Sequence, residues 1–415
     1  MSPAFRDRID RTYALVVVAA SLLMLLVANG AMFLLIVAMK DMAASFDWPR
    51  SVPSTAYSLQ FVGGGLGGIV MGWWLDRAGM GKPALLGAFT IGTGAVLVGL
   101  VSSPLELWAV YGIVIGLVGN ACMFSPLVTN VTLWFDRHRG LAVGLVTSGQ
   151  SLAGFLWPPV FELGLGSVGW RGTYLLYGAF ALVTMVPMAL LLRRRPGPRP
   201  RRATGAGGAG VERDAPVLHM RPNTLLALLC CAIVGCCVAM SLPLAHLKSH
   251  ATDIGIAPME AATVLSVLLG GSFVARAIVA GPLIGRIGAL RTLFAFSSLQ
   301  AVTLLLLPLL DGLAAIYLVA AIFGFGYGGI GPTYPIIVRD FLPERRAGRY
   351  TATIIMFGTF GMAIGGWVGG FGFDLTGAYV TAFLVGVGFN LVNLAIVGFL
   401  VGATRRRTLH PVPAE

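Results

Sequence analysis

The sequence predicts an all-α polytopic membrane protein with twelve transmembrane helices. Its 415 residues are 57% hydrophobic and only 11% charged, whereas about one quarter of an average soluble domain is charged. The chain also contains 56 glycines, and small residues let membrane helices pack closely. Apolar windows of about 20 residues, enough to cross the hydrocarbon, follow one another at 13–39, 52–75, 84–102, 106–131, 139–163, 172–192, 223–247, 260–285, 291–308, 312–338, 348–373 and 379–402.

Lysine and arginine are distributed unequally between the two sides of the membrane. With twelve spans both termini share one side, and that side holds 24 of the 29 basic residues. The opposite side holds Lys40, Arg50, Arg171 and Lys248. The positive-inside rule places both termini in the cytoplasm, and the Ala/Gly/Arg-rich composition with short loops fits a bacterial inner membrane. The net charge of +12 is therefore a topology signal, and we expect contact with lipid and none with nucleic acid.

A stretch rich in arginine, proline and glycine divides the chain into two halves. Such a composition favours a solvated linker over a helix. We therefore predict an N-terminal six-helix bundle at 1–192, a cytoplasmic linker at 193–222, a C-terminal six-helix bundle at 223–404 and a cytoplasmic tail at 405–415. The halves repeat at an offset of 209 residues, which aligns GWWLDRAG at 72–79 with GPLIGRIG at 281–288 and matches Pro126 to Pro335, Arg137 to Arg346 and Gly149 to Gly358.

Catalytic and metal-binding patterns are missing from the predicted spans. Ser/His and Cys/His pairs at a spacing suited to catalysis are absent, so we expect no enzyme. The cysteines lie inside predicted helices and are expected to be packing residues, with no metal or cofactor. No obligate protein partner is expected. The cysteines are Cys122, Cys230, Cys231, Cys236 and Cys237.

Several motifs resemble those of the major facilitator superfamily, and more narrowly the monocarboxylate transporter and oxalate:formate antiporter-like group. The pattern GxxxDRxG after helix 2, echoed after helix 8, carries the wider resemblance. The narrower one rests on WFDRHRGLAVGLVTSGQSLAGFLWPP at 134–159, HLKSHATDIGI at 246–256, ARAIVAGPLIGRIG at 275–288 and FGFGYGG at 323–329. The resemblance implies two pseudo-symmetric bundles, a substrate site between them and alternating access.

One charged residue, Arg276 in helix 8, is expected deep inside a span, with no buried Asp or Glu to pair with it. An arginine there costs roughly 2.5–3.5 kcal/mol even on the mild insertion scale. Either it bonds backbone carbonyls as packing glue, or a substrate carboxylate supplies its partner in bidentate geometry. In the resembled family an arginine at this place binds the carboxylate. One fixed positive charge favours a monoanion, and helix 11 lacks the second buried cation of oxalate carriers.

Proton coupling is the expected driving force, although one family residue is missing. Animal monocarboxylate transporters have an aspartate four residues before the arginine, and this chain has Ser272 there. The remaining proton-coupling or gate candidates are His246, which titrates in the physiological range, and Asp253, expected just outside helix 7. The alternative is a carboxylate exchanger of the oxalate:formate antiporter-like type.

Polar and aromatic residues in helices 1, 4, 7 and 10 are expected to complete the substrate site. Tyr327 of FGFGYGG can donate its hydroxyl to a carboxylate, and the amides of Asn29 and Asn120 need partners within the membrane. Phe124 stands where relatives often have tyrosine. The glycine runs 63–68 and 365–370 predict close helix approach. A cytoplasmic gate is expected at Asp76, Arg77 and Arg286.

Overall fold

The computed structural model describes residues 3–135, 139–194, 220–310, 312–343 and 346–408. Within these ranges all regular secondary structure is helical, as predicted. Ten helices are long and apolar enough to cross a membrane. Two further observations bring this number to the predicted twelve. One of the ten helices is broken at Gly169 and forms two spans, and the helix Ser51–Ala78, with 28 residues, is also long enough to cross the membrane. Most of the expected linker at 193–222 and of the tail at 405–415 lies outside the described residues.

The helices agree with the predicted windows to within a few residues at most ends. They are α1 Pro3–Phe46, α2 Ser51–Ala78, α3 Gly81–Leu100, α4 Pro104–Thr132, α5 139–168, α6 170–191, α7 Pro222–Asp253, α8 Pro258–Ile287, α9 Ala289–Leu306, α10 Leu313–Phe341, α11 Ala347–Thr376 and α12 Val380–Thr408.

The boundary between α5 and α6 is a single glycine. Gly169 has φ 70° and ψ 173° inside an otherwise helical stretch, a backbone region that glycine enters without steric cost. The turn is held in place by Arg171, whose guanidinium donates to the Gly99 and Val101 carbonyl oxygens at 2.9 Å each. These bonds satisfy carbonyls at the end of α3. The break predicted between 163 and 172 is therefore confirmed.

Helix α7 is longer than predicted. The window at 223–247 left Asp253 outside the helix, but α7 continues to Asp253 and that prediction was wrong. The helix ends because Gly255 takes φ 94°. Residues 248–253 are mostly polar, and Lys248 and Asp253 pair with charges of the other bundle, so hydropathy does not detect this part of the helix.

The same helix pairs recur in both halves. In the N-terminal half α1 packs on α5, α2 on α4 and α3 on α6, and in the C-terminal half α7 packs on α11, α8 on α10 and α9 on α12. Glycines allow the closest of these approaches. A Cβ at Gly67 would overlap the Leu117 carbonyl oxygen, and one at Gly324 would overlap that of Leu268. The two halves that repeat in sequence therefore also repeat the same pairwise packing of helices.

We expect Gly324→Ala to lower the free energy of unfolding by about 1–3 kcal/mol, the usual effect of overpacking. The backbone of α8 cannot move aside as a flexible side chain could. The control is Gly281→Ala in α8, where a Cβ would meet nothing within 4 Å and where alanine favours the helix. Thermal unfolding of the purified variants in detergent measures the difference. Equal unfolding temperatures for both variants would contradict this account of the α8–α10 contact.

Candidate functional site

The two bundles contact each other along α2 and α11, along α5 and α8, and between α1 and α7. We call the face at which α1, α7 and α11 end the distal face, and the opposite one, where α1 begins, the terminal face. The α2–α11 contact extends from Arg50 and Asp374 at the distal face to Gly65 and Thr359 about midway along both helices. The inter-bundle contact is therefore concentrated toward the distal face.

Glycines of α11 bring this helix against both α2 and α7. A Cβ at Gly366 would overlap the ring of Tyr57 in α2, and one at Gly369 would overlap the ring of His246 in α7. The close approach predicted for the run 365–370 is confirmed. Helix α11 can thus transmit a displacement from one bundle to the other.

Arg276 lies in α8 within the segment Ala275–Val279, whose turns are π-helical. Such wider turns occur frequently at functional sites. The side chain is half-buried, and its Nε atom is buried without a hydrogen-bond partner among the described residues. Nη2 lies 3.8 Å from the position of a Cβ at Gly331. No carboxylate in the described part of the chain forms an ion pair with Arg276.

Tyr327 of α10 is the residue that the fold brings to Arg276. Its hydroxyl lies within electrostatic range of the guanidinium. The hydroxyls of Tyr327 and of Tyr57 in α2 lie within electrostatic range of each other and of the Cys237 thiol. A basic group and two phenols from both bundles therefore meet near the middle of the molecule.

The other predicted lining residues have no hydrogen bond to Arg276 in the described structure. Asn29 donates its amide to the Leu25 carbonyl oxygen of its own helix at 2.7 Å. Asn120 ends the π-helical segment Val110–Asn120 of α4 and packs near Gly64 of α2. Phe124 is 46% exposed. Their place in a binding site stays a prediction.

His246 is fully buried. Its Nε2 is 2.8 Å from the Gly366 carbonyl oxygen, and its ring centroid is 5.2 Å from that of Tyr379. A carbonyl oxygen can only accept, so Nε2 carries the hydrogen and Nδ1 has the free lone pair. Nδ1 has no hydrogen-bond partner among the described residues. It is therefore the atom at which this histidine would take up a proton.

Asp253 connects the two bundles at the distal face. Its carboxylate forms ion pairs with Arg50, before α2, and with Lys40 of α1, where the Nζ–Oδ1 distance is 2.7 Å. The Arg50 guanidinium also lies 3.8 Å from the Phe373 ring centroid and donates to the Tyr379 hydroxyl at 3.0 Å. Burial opposes the charge of Arg50, but the interactions with Asp253 and Tyr379 together outweigh it, and the pKa of Arg50 is raised.

A second carboxylate, Asp374, strengthens this distal contact. Its two oxygens accept from the backbone N–H groups of Arg50 and Ser51 at 2.8 and 2.9 Å. These N–H groups lie at the N-terminus of α2. An anion is stabilised at this position by N–H groups that have no partner within the helix and by the helix dipole. An acid at the end of α11 thus caps a helix of the opposite bundle.

Lys248 and Glu162 form a buried ion pair that the sequence did not predict. The Lys248 Nζ of α7 lies 3.0 Å from the Glu162 Oε2 of α5, and the two side chains are 3% and 11% exposed. Nζ also donates to the Val37 carbonyl oxygen of α1 at 2.8 Å. The expectation that no buried Asp or Glu lies within the spans was therefore wrong for Glu162, although the pair lies near the distal ends of α5 and α7. The sequence did contain a signal for this pair, because Glu162 is an acidic residue inside the predicted apolar window 139–163.

The predicted gate at the terminal face lies on the last turns of α2 and α8. Asp76 and Arg77 are in the last turn of α2, and Arg286 is in the last turn of α8. Arg77 and Arg286 are exposed. The side chain of Asp76 lies outside what the structure describes, so the latch between these residues stays a prediction.

Three known proteins to which this chain is similar are all transporters by name. The family model described as Major Facilitator Superfamily matches residues 21–366 and 227–415. The chain is 28% identical to monocarboxylate transporter 11 of Mus musculus over 93% of this chain and 87% of that one. It is 25% identical to monocarboxylate transporter 13 of Rattus norvegicus, over 84% and 78%. It is 27% identical to the MFS-type transporter pynF of Aspergillus niger, over 67% of this chain and 62% of that one.

Solved structures show the same fold. The chain superposes on a bacterial homologue of the human lysosomal transporter Spinster, in an inward-facing and unoccupied conformation, with a TM-score of 0.66 and 17% identity, over 97% of this chain and 99% of that one. The relatives' names indicate a transporter instead of an enzyme. Because the family match spans most of the sequence and the helices form the expected bundles, this chain belongs to the major facilitator superfamily, as a membrane transporter similar to the monocarboxylate transporters.

Proposed function

We propose that this protein is a secondary active transporter that moves a small monocarboxylate across the membrane, with Arg276 binding the carboxylate. The observation that carries the proposal is the half-buried Arg276 guanidinium, which has no carboxylate partner among the described residues. A substrate carboxylate could satisfy it in bidentate geometry. Tyr327 can donate to the same group. Asn29, Asn120 and Phe124 are the proposed remaining lining.

The balance of buried charge favours a monoanion. The charge of Lys248 is compensated by Glu162 at 3.0 Å, so of these two cations only Arg276 is available to an anion. A second carboxylate would leave an unpaired charge in a low-dielectric site, which costs several kcal/mol. The described relatives named as monocarboxylate transporters support the same substrate class.

Alternating access is proposed from the uneven contact between the bundles. Ion pairs and the α2–α11 contact tie the bundles at the distal face, whereas Leu66, Ile69, Ile355 and Phe357 are exposed on the terminal halves of these helices. This arrangement suits a state closed at the distal face. With both termini in the cytoplasm of a bacterial inner membrane, as the basic residues favour, the state faces inward. Asp76, Arg77 and Arg286 would close the cytoplasmic side in the opposite state.

Proton symport and carboxylate exchange are the two candidate modes. Symport is supported by His246, whose Nδ1 could accept a proton inside the membrane, with Asp253 as gate or second coupling site. Exchange is favoured by Ser272, which leaves Arg276 without a titrating partner. An empty site with an unbalanced charge reorients less readily than one neutralised by substrate.

Replacing Arg276 tests the carboxylate site. We expect Arg276→Gln to weaken monocarboxylate binding by roughly tenfold to hundredfold, the loss of a hydrogen bond to a charged group worth about 1.5–3 kcal/mol. Arg276→Lys should recover part of the affinity because it keeps the charge without the planar fork. Equilibrium binding and uptake into proteoliposomes measure both effects. Unchanged uptake of every acid by Arg276→Gln, or competition by dicarboxylates alone, would refute the proposal.

Replacing Lys248 and Glu162 tests the distal contact as a gate. Leaving one buried charge unpaired costs about 3–5 kcal/mol, so Glu162→Gln and Lys248→Met should each shift the protein toward a distal-open state. The double variant should return toward wild type because it buries no unpaired charge. Pulsed EPR distances between spin labels at Ala44 and Ala257, both exposed at the distal face, report the shift.

The control for this gate is Lys40→Met. The Lys40 side chain is 37% exposed, and exposed ion pairs contribute at most about 1 kcal/mol, so the distance distribution should change little. A double variant that opens as far as the sum of the two single variants would contradict the role given to the buried pair.

The coupling mode is tested with His246→Gln. The amide can still donate to the Gly366 carbonyl oxygen but cannot take up a proton. In a symporter, a proton gradient drives monocarboxylate accumulation by the wild type, and this variant loses accumulation while keeping exchange across the membrane. Accumulation that survives both His246→Gln and Asp253→Asn excludes these residues as coupling sites. Trans-stimulation without any response to the gradient identifies the exchanger.

A further inference from the structure

The core of the C-terminal bundle contains a group of neutral polar side chains that is distinct from the inter-bundle site. We call this group the C-bundle polar cluster. It brings together four helices of the same bundle, α7, α9, α10 and α12. Its members are Cys236, Ser297, Gln300, Tyr334, Asn390 and Asn393, all between 0% and 3% exposed.

Contacts within the cluster join its members but satisfy only part of their hydrogen-bonding capacity. Asn390 donates to the Ser297 carbonyl oxygen at 3.1 Å, and Asn393 donates to Asn390 Oδ1 at 3.0 Å. The Cys236 thiol lies 3.6 Å from Gln300 Oε1 and within electrostatic range of the Tyr334 hydroxyl. One connected set of side chains therefore reaches from α12 through α9 to α7 and α10.

Four polar atoms of the cluster are left without a protein partner in the described structure. They are Ser297 Oγ, Gln300 Nε2, Tyr334 Oη and Asn393 Oδ1. Each unpaired buried group costs about 1–3 kcal/mol, and the surrounding lipid offers no hydrogen bonds. Four such groups in one place are more than a stable bundle would leave unsatisfied.

We propose that the C-bundle polar cluster binds internal water. Water matches the unpaired set, because the Gln300 amide must donate, the Asn393 oxygen must accept and the two hydroxyls can do either. Buried waters typically make about three hydrogen bonds to such groups. A metal cation fits less well, since the cluster has no carboxylate to compensate its charge in a low-dielectric core.

The hydrated cluster would hold the C-terminal bundle together as one body. Helices α7 and α10 carry Cys237 and Tyr327 toward the inter-bundle site, while α9 and α12 support them from behind. Water-bridged hydrogen bonds are nearly as favourable as direct ones, so the cluster fixes these helices without adding charge. This role is independent of which substrate the protein carries.

Hydroxyl-radical footprinting of the full-length protein in nanodiscs tests the proposal. Brief X-ray radiolysis generates radicals from bound water, which modify adjacent reactive side chains even where bulk solvent is excluded. We expect Tyr334 and Cys236 to be modified several-fold faster than two fully buried controls of the N-terminal bundle. The controls are Cys122 and Tyr174, whose hydroxyl is 2.8 Å from that of Tyr111.

A variant and an ion series complete the test. Gln300→Met removes one anchor and should slow the modification of Tyr334 and Cys236, whereas Thr303→Val, one turn along α9, should not. Thr303 donates to the backbone carbonyl oxygens of Leu299 and Gln300 at 2.8 and 3.1 Å, and among the described residues it has no hydrogen bond to a side chain of the cluster. Modification of Tyr334 no faster than that of Tyr174 overturns the proposal. Modification that depends on Na⁺ or K⁺ when choline replaces them also overturns it, in favour of a cation site.

Discussion

Charge compensation in a medium of low dielectric governs how the two bundles meet. Lipid cannot solvate an ion, so a charge buried between helices needs a counter-ion or an ordered set of dipoles. Lys248 meets Glu162, and Arg50 and Lys40 meet Asp253. Each of these pairs crosses from one bundle to the other. Arg276 departs from this pattern among the described residues, and it is there that an anion from outside the protein can supply the missing charge.

Because the ion pairs cross the bundle interface, separating the bundles at the distal face breaks all of them together. The Asp374 cap of α2 breaks in the same motion, since it depends on α11. The contact is therefore suited to two discrete arrangements instead of gradual loosening. The glycines of α11 keep the backbones close enough for Tyr57 and His246 to pack on that helix, and this closeness couples the motion of the bundles to the position of both rings.

The parts of the fold that depend on local sequence could be predicted, and the parts that depend on pairing between distant residues could not. Hydropathy located the spans, and Gly169 stood in the expected break. Arg276 could be singled out because a charge is rare in an apolar window. The Lys248–Glu162 pair escaped notice since each residue, taken alone, falls near a window end where charge is ordinary. The end of α7 was misplaced for the same reason, because Lys248 and Asp253 near its end are paired with charges of the other bundle.

The charge of Arg276 also bears on which step of the transport cycle is slow. On the proposed function, the loaded site is neutral, whereas the empty site carries one positive charge across the membrane. A potential negative inside acts on that charge with up to about 2.3 kcal/mol per 100 mV for a complete crossing, and so favours the empty carrier facing inward. Protonation of His246 would add to the charge instead of removing it. In net uptake the potential therefore opposes the return of the empty carrier, and a second carboxylate carried on the return path removes this opposition. Symport and exchange would therefore differ mainly in how the charge of Arg276 is balanced while the carrier returns after releasing its substrate.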